Sequence, residues 1–539
     1  MFRRAAPILL AGLMLGAAAL GVVTCGSDDQ GGGSSDEPAL LSPDGRAEIR
    51  KQMTGPPFQY GKWGVLAVDT DSGETLFARN IKTPLRGAST TKNFTVAATL
   101  GDLGPDHRFR TPVVRLGPVP DGTLKGDLVL QASGDLTMGG RDEGDDEVAY
   151  TGFDHTDANE VPGPATLTPQ DPLVGLNRLA EQVSESGIER VAGDVIIDDR
   201  LWKSKRIGTD LVTPIIVNDN AIDITLTPTE PGQTVEAETR PATAAYTINV
   251  ETETGPPGSP VAPEVEQTDD REVTVTGSIP ADGGPVVQIF RSPDPAYLAR
   301  TLFIEALKDS GVKVDAPVVA PNRSNDLPPF GKVSESPKVA EITSPPVSEF
   351  VKLIQKVSHN LGSNTAPFWL ATQHGERTFA AGMKRVRGYA RQAGVPMGQV
   401  TLVDGQGLEG NQFSPLAMVT LLRYVAQQPY AADFADALPV KGVDGLPEDP
   451  EKDPGTGHVS AKNGLLGGLN SDGELEVQAM ALAGYAGTGE SQVSFDVAVN
   501  HVPILPDGKS SDDPQKQVEA FTRFGPLEGI TTEFYLAGK

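Results

Sequence analysis

The sequence GASTTKNFTVAATL, residues 87–100, predicts a buried helix that begins close to a serine and a lysine. Its apolar residues from Phe94 to Leu100 recur at helical spacing. Residues three apart share one helix face, so Lys92 can reach the hydroxyl of Ser89. Free N–H groups at a helix start favour negative charge there. A serine in this place is suited to act as a nucleophile, although an N-cap serine without chemistry would give the same local pattern.

A β-hairpin is predicted directly before this helix. The alternating runs WGVLAVDT and ETLFARN flank the turn DSG within residues 63–80, which is the pattern of two strands joined by a glycine turn. Near the C-terminus, strands are predicted at HVSAKNGLL, VQAMALAGYA and VSFDVAVNHV, and helices at 295–310, 348–361, 379–393 and 415–427. The two ends of the chain therefore supply the strands and helices of one α+β domain.

The middle of the chain has a different character. From about residue 113 to 290, short alternating runs are separated by Gly and Pro turns, with one clear helix at 173–187. We predict a discontinuous domain, residues 46–112 and 291–539, interrupted by a β-rich insertion, 113–290, of two small domains. Residues 141–159 of the insertion form an acidic loop. A calcium site is conceivable there, but the spacing matches no EF-hand loop, and a solvated loop is favoured.

Three short motifs stand in order along the chain. They are Ser89-Thr90-Thr91-Lys92, Ser358-His359-Asn360 and Lys462-Asn463-Gly464, which correspond to the set S-x-x-K, S-D-N and K-T-G of penicillin-binding proteins and class A β-lactamases. Each motif alone is a weak indication, because S-x-x-K also occurs at 310–313. No helix is predicted after that second copy, whereas Ser89 opens an apolar helix. A lysine can act as a base if burial and a second cation lower its pKa, and Lys462 could supply that cation.

The motifs and the segments around them resemble one family, the low-molecular-weight penicillin-binding proteins of the D-alanyl-D-alanine carboxypeptidase/endopeptidase family, peptidase family S13. GASTTKNFT resembles the family's P-A-S-x-x-K-x-x-T, and LVLQASGDLTM resembles its L-x-x-x-G-G-G-D-P-x-L. AGDVIIDD, VNDNAIDITLTP, SPPVSEFVKLIQKVSHNLGSN, LVDGQGLEGNQFSP, ALPVKGVDG and GHVSAKNGLLGGLN have counterparts in the same order. The similarity covers most of the chain from Trp63 onward.

The chain departs from the family pattern at several positions. Asn463 stands where the family has the Thr of K-T-G, which bears on recognition of the substrate carboxylate. Gln406 and Glu409 replace serines of D-G-S-G-L-S, and Leu136 replaces the proline of G-D-P. His359 fills the variable position of S-x-N.

The resemblance implies a serine β-lactamase/transpeptidase fold, in which an antiparallel sheet packs against a helical region with the active-site cleft between them. It also implies extra domains inserted between the first two motifs, and a peptidoglycan stem peptide as the substrate. Ser89 would attack the penultimate D-Ala carbonyl with Lys92 as base, and β-lactams would be covalent inhibitors. No cofactor and no metal ion are implied.

The resemblance also assigns roles to the remaining motif residues. Ser358 would relay a proton to the leaving amine, and Asn360 would hold a substrate amide. The backbone N–H groups of Ser89 and Leu465 would form the oxyanion hole. Lys462 would bind the terminal carboxylate with Asn463, in a substrate-binding segment that continues through Gly464 and Leu465.

Two other functions remain open on the same fold. One is a catalytically impaired relative that binds cell-wall peptide, which Asn463 and Gln406 favour. The other is a β-lactamase or esterase, which the insertion and the D-G-x-G-L segment disfavour. A zinc carboxypeptidase is disfavoured because the six histidines show no H-E-x-x-H spacing. A Ser-His-Asp hydrolase is disfavoured because the chain has no G-x-S-x-G elbow.

The N-terminus predicts export. Two arginines precede an apolar run at residues 5–23, and Cys25 follows. A transmembrane helix is the alternative, but the small residues and the N-terminal place favour a signal peptide over 1–24. The end of the run resembles a lipoprotein lipobox with the departure Thr24, so Cys25 is predicted to be lipidated. Residues 25–45 then form a flexible tether, and the protein is expected to be a membrane-anchored lipoprotein facing the periplasm or cell-wall space.

The charge and cysteine content exclude several partners. The formal net charge of the 539 residues is -27, so the surface repels nucleic acid and anionic lipid head groups. Cys25 is the only cysteine, which leaves neither an internal disulfide nor a cysteine-ligated metal.

Overall fold

The computed structural model describes residues 41–144, 146–160, 163–444, 453–511 and 514–539. The predicted signal peptide and the lipidation site at Cys25 lie outside the described residues. Within those ranges, no helix combines the length and the apolar character needed to cross a bilayer.

The secondary structure mixes helices and strands along the whole described chain. The helices are α1 (Pro43–Thr54), α2 (Lys92–Leu103), α3 (Val174–Glu185), α4 (Pro295–Asp309), α5 (Val347–Lys356), α6 (Asn360–Gln373), α7 (Phe379–Gln392), α8 (Pro415–Val425), α9 (Ala431–Ala437), α10 (Pro514–Thr522) and α11 (Gly525–Ala537). The strands are β1 (Lys62–Asp69), β2 (Thr75–Arg79), β3 (Arg110–Leu116), β4 (Thr123–Leu124), β5 (Asp127–Gln131), β6 (Arg190–Val191), β7 (Val195–Asp198), β8 (Lys205–Ile207), β9 (Asp210–Val212), β10 (Ala221–Thr227), β11 (Glu236–Arg240), β12 (Thr247–Val250), β13 (Glu253–Gly255), β14 (Ala262–Asp269), β15 (Glu272–Pro280), β16 (Val286–Arg291), β17 (Lys313–Val314), β18 (Lys338–Thr343), β19 (Val400–Thr401), β20 (Gln412–Phe413), β21 (Val459–Leu469), β22 (Leu475–Ala486) and β23 (Val493–Pro503).

A five-stranded antiparallel sheet joins the two ends of the chain. Its strand order is β2-β1-β23-β22-β21, and Trp63 of the N-terminal hairpin lies opposite Val499 of the last strand. One face packs against α1 and α11 in an apolar core that includes Ile49 and Phe534. The predicted hairpin and the three C-terminal strands are therefore confirmed, and they lie side by side because β1 pairs with β23.

The other face of the sheet packs against the helical region, with α2 at its centre. The residues of α2 from Lys92 to Leu100 are all buried, and the surrounding core is supplied by α5 to α9. A sheet packed against buried helices confirms the predicted α+β class with its transpeptidase-like arrangement.

The predicted helix 348–361 is wrong as a single element. The chain forms α5 up to Lys356 and starts α6 at Asn360, and Ser358 between them has a left-handed backbone with φ of 58°. The apolar pattern continues through the break because both helices are buried, so the spacing of apolar residues alone does not indicate it. The motif Ser358-His359-Asn360 thus lies at a helix junction.

The middle of the chain has its own apolar core. It is built from several small sheets, α3 and α4, and it includes residues as late as Ala340. Strand β18 pairs with β3, which closes this region. The division into a discontinuous domain and an insertion stays a prediction, and this packing favours an insertion that extends to residue 343 rather than 290.

Candidate active site

Ser89 lies in a single 3₁₀ turn, residues 88–91, that leads into α2. Ala88 before it has a left-handed backbone with φ of 47°, a costly conformation for a residue with a side chain. The edge strand β21 lies against this turn. A Cβ atom at position 464 would overlap the carbonyl oxygen of Gly87 and stand 3.1 Å from the amide nitrogen of Ser89. Gly464 therefore allows the strand to approach the serine closely.

Lys92 connects the first two motifs. Its Nζ atom lies 2.9 Å from the Oγ atom of Ser89, 3.3 Å from that of Ser358 and 2.8 Å from the Oδ1 atom of Asn360. It also donates to the backbone carbonyl of Gln406 at 3.3 Å. The side chain is fully buried. The structure therefore brings together four of the five predicted catalytic side chains around one amine.

The environment of Lys92 shifts its protonation equilibrium toward the neutral form. Burial lowers the pKa of Lys92 to about 8, although nearby carboxylates, Asp157 first among them, act in the opposite direction. A buried amine with a lowered pKa can accept a proton near neutral pH. The geometry and the lowered pKa thus both suit a general base for the Ser89 hydroxyl.

Lys462 approaches the site from β21. It is also fully buried, and burial together with the charge of Lys92 holds its pKa well below the usual lysine range. Its Nζ atom donates to the side-chain Oδ1 of Asn463 at 2.8 Å and to the backbone oxygen of the same residue at 2.9 Å. Asn463 thus offers its amide oxygen to Lys462. Within the described part of the chain, its NH₂ group donates to no other residue.

Two carboxyl groups of the middle region, which the sequence did not indicate, lie near enough to Lys92 to influence it. Burial raises the pKa of Asp157 to about 6 and that of Glu160 to about 7, and both carboxylates interact electrostatically with Lys92. They belong to the stretch 141–159 and the residue after it. The prediction of a solvated loop is wrong for part of this stretch, because Arg141, Asp154 and His155 are buried. Exposed residues such as Asp146 lie in the same stretch. The local sequence pattern alone therefore does not distinguish its buried part from its exposed part.

The segment with Gln406 supports Lys92 through its backbone. Asp404 accepts hydrogen bonds from the amides of Gln406 at 3.0 Å and Gly407 at 2.7 Å, which shapes the turn. The Gln406 side chain accepts a hydrogen bond from Asn364 at 2.8 Å. Glu409 is exposed and pairs with Arg86 at 2.9 Å. The departures at 406 and 409 therefore leave the contact between Lys92 and the carbonyl of residue 406 in place.

The second S-x-x-K sequence lies elsewhere. Ser310 ends α4 in the middle region, and Lys313 starts the short strand β17, which pairs with β6. Ser310 is therefore a matched control for Ser89, with the same motif outside the cleft.

Comparisons with known proteins agree with this arrangement. A model of the D-Ala-D-Ala carboxypeptidase 3 (S13) family matches residues 46–523. A D-alanyl-D-alanine carboxypeptidase of Actinomadura sp. is 27% identical over 491 residues, which cover 84% of this chain and 80% of the relative. The D-alanyl-D-alanine carboxypeptidase DacB of Haemophilus influenzae is 23% identical over 404 residues, which cover 71% and 74%.

Solved structures show the same fold. Penicillin-binding protein 4 (dacB) of Haemophilus influenzae matches with a TM-score of 0.65 and 20% identity, over 90% of this chain and 98% of that chain. A structure of the same protein complexed with a β-lactam also gives a TM-score of 0.65, at 21% identity over 91% and 98%.

Proposed function

This chain belongs to the D-Ala-D-Ala carboxypeptidase 3 (S13) family, and we propose that it cleaves the D-Ala-D-Ala ends of cell-wall stem peptides through an acyl-enzyme on Ser89. The observation that carries the proposal is the 2.9 Å separation of the Lys92 amine and the Ser89 hydroxyl at a buried site. The enzyme is a serine-type, penicillin-binding carboxypeptidase by family.

The first step is acylation. Neutral Lys92 takes the proton of the Ser89 hydroxyl while its oxygen attacks the penultimate D-Ala carbonyl. The oxyanion is stabilised by the backbone N–H groups of Ser89 and Leu465. As the C–N bond breaks, the proton passes from Lys92 through Ser358 to the leaving amine, which departs as D-Ala. The contact between Lys92 and Ser358, 3.3 Å, supports this relay.

The second step is deacylation. A water molecule loses a proton to Lys92 and attacks the ester carbonyl, and Ser89 leaves with that proton. Water releases the shortened peptide and restores the free enzyme. Asn360 holds the substrate amide, and Lys462 with the NH₂ group of Asn463 binds the terminal carboxylate.

A second candidate function is a catalytically impaired relative that binds the same peptide. The observation that favours it is the pairing of Lys462 with Asn463. This pairing occupies the Lys462 amine that would otherwise be offered to the substrate carboxylate.

The experiment is intact-mass analysis after reaction with a fluorescent penicillin. We expect one adduct on the peptide that contains Ser89, its loss in Ser89→Ala and its retention in Ser310→Ala. An adduct that survives Ser89→Ala would refute the assigned nucleophile. A wild type that forms no adduct would support the binding function. Rapid nitrocefin turnover would indicate a β-lactamase instead.

For localisation, we propose an exported lipoprotein anchored through Cys25 and facing the periplasm or cell-wall space. The proposal is supported by the apolar N-terminal run with its lone cysteine and by the cell-wall substrate of the family. A firm anchor of this kind requires more than one acyl chain.

A further inference from the structure

A buried cluster of charged side chains lies directly behind the Ser358-His359-Asn360 junction. Arg141 binds Asp154 with two hydrogen bonds, at 2.7 and 2.8 Å, and donates to Asp219 at 2.8 Å. His155 lies between Asp219 and Asp223, at 2.8 and 2.5 Å. All five residues are buried. None of them belongs to the motifs that the proposed mechanism uses.

This cluster pairs its charges internally. The carboxylates of Asp223 and Asp154 raise the pKa of His155 to about 10 against the effect of burial, so the ring is a cation. Burial opposes ionisation of Asp219, yet Arg141 and His359 hold its pKa well below the usual range. Asp154, His155 and Asp219 have the spacing of metal ligands. However, the Arg141 guanidinium and the protonated His155 ring already pair with these carboxylates, and a metal ion there would be repelled.

Asp219 points from the cluster into the catalytic junction. Its Oδ2 atom accepts from Arg141 and His155, and its Oδ1 atom lies 2.8 Å from the Nε2 atom of His359. The backbone around it is unusual, because residues 218, 219 and 220 all have left-handed φ angles of 48°, 53° and 58°. Asn and Asp tolerate this conformation best among residues with side chains. The turn brings one carboxylate into contact with three partners, Arg141, His155 and His359.

His359 uses both ring nitrogens. Its Nδ1 atom accepts the backbone N–H of Gly362 at 3.0 Å and so caps the start of α6. Because Nδ1 is an acceptor, the Nε2 atom carries the hydrogen and donates it to Asp219. The ring therefore ties the start of α6 to the buried cluster 140 residues away in sequence.

The segment LVLQASGDLTM, residues 128–138, connects the buried cluster to α6. Asp135 accepts from the amides of Thr137 and Met138, which forms the turn that leads to Arg141. The carbonyl of Gly134 accepts the indole N–H of Trp369 in α6 at 2.9 Å. The same helix is thus held at its start by His359 and along its length by this turn.

We propose that Asp219 is a positioning residue that fixes Ser358 and Asn360 against Lys92 through His359. The inference rests on the proposed function, since it concerns the same site. Ser358 holds a left-handed backbone, which is unfavourable for a residue with a side chain and persists only when its surroundings enforce it. The bond of its neighbour His359 to Asp219 supplies that restraint.

Two substitutions of His359 separate its two bonds. In His359→Asn, the amide oxygen stands about where Nδ1 stands, so the helix cap is kept and the bond to Asp219 is lost. In His359→Gln, the amide nitrogen stands about where Nε2 stands, so the bond to Asp219 is kept and the cap is lost. Both variants leave Asp219 paired with Arg141 and His155, so the buried cluster stays intact in each.

The experiment measures acylation by a fluorescent penicillin in a stopped-flow instrument, with the rate constant and the dissociation constant of the initial complex resolved separately. We expect His359→Asn to lower the acylation rate constant about 10- to 100-fold, the effect of misplacing a reacting group by about 1 Å. The dissociation constant should change little. His359→Gln should stay close to wild type. Thermal unfolding of each variant is measured in parallel.

The acylation rate constants of the two variants, compared with each other and with wild type, decide the test. If His359→Asn acylates as fast as wild type, or faster than His359→Gln, the bond to Asp219 does not position the site and the proposal is overturned. It is also overturned if both variants lose acylation in proportion to a lowered melting temperature. A wild type that takes up no penicillin would instead refute the proposed function, and the inference with it.

Discussion

The rate of acylation should rise with pH around the pKa of Lys92. A lysine can accept the Ser89 proton only in its neutral form. With a pKa of about 8, roughly 9% of Lys92 is neutral at pH 7, against roughly 0.03% for a lysine at its ordinary value of 10.5. Burial therefore supplies about a 300-fold gain in active base at pH 7. Below pH 8 the rate should fall about tenfold per pH unit, and above it the rate should level off.

The carboxylate of Asp157 offers an independent perturbation. Burial lowers the pKa of Lys92, and the nearby carboxylates, of which Asp157 acts most strongly, raise it. The acylation rate rises with pH along what we call the rising limb of the pH–rate profile. Asp157→Asn should therefore shift this rising limb to lower pH and increase the acylation rate at pH 7. Asp472→Asn, in an exposed turn, removes the same charge from a remote place and should leave the limb where it is.

The assay is the second-order rate constant for acylation by a fluorescent penicillin between pH 5.5 and 9.5. Lys92→Gln should abolish the limb and lower the plateau about 10²–10⁴-fold, the usual contribution of a general base. A wild-type midpoint close to 10.5, a limb retained in Lys92→Gln, or a shift to higher pH in Asp157→Asn would each refute the base assignment.

Three further predictions concern other residues. Asn463→Thr should raise kcat/KM on a D-Ala-D-Ala peptide by up to about tenfold, or about 1.4 kcal/mol, because the Lys462 amine loses its Asn463 side-chain partner. An equal response from a carboxylate-free ester would show that residue 463 does not bind the carboxylate. Asp496 is buried in β23, and among the described residues its Oδ1 atom has no hydrogen-bond partner; burial raises its pKa to about 8. The folded state then binds the proton more tightly, so stability should fall by about 1.4 kcal/mol per unit as pH rises from about 4 to 8. In Asp496→Asn this loss should disappear, measured by thermal unfolding at pH 5 and 7.5, and an unchanged pH dependence would contradict it. Cys25→Ala should abolish incorporation of labelled fatty acid and release the protein from membranes, whereas a wild-type N-terminus downstream of residue 25 would exclude the anchor.

The sequence by itself was sufficient for features that depend on near neighbours. The hairpin, the C-terminal strands and the helix after Ser89 follow from periodicity over four to ten residues. The spacing of Ser89 and Lys92 on one helical turn predicts their contact, and the order of the three motifs indicates the family. The α+β class and the carboxypeptidase family are confirmed by the sheet order and the family match. The assigned roles of the site residues stay predictions.

Only the tertiary structure could decide the helix break at Ser358 and the role of His359. The sequence treated residue 359 as a variable position, and it treated the stretch that begins at Arg141 as a solvated loop. In the folded chain, His359 meets Asp219 across 140 residues, and Asp219 meets Arg141 across 78. The physical reason is that hydrophobic periodicity reports only which face of an element is buried. A buried charge is tolerated only beside an oppositely charged or hydrogen-bonding partner. Which residue becomes that partner depends on how elements distant in sequence pack together.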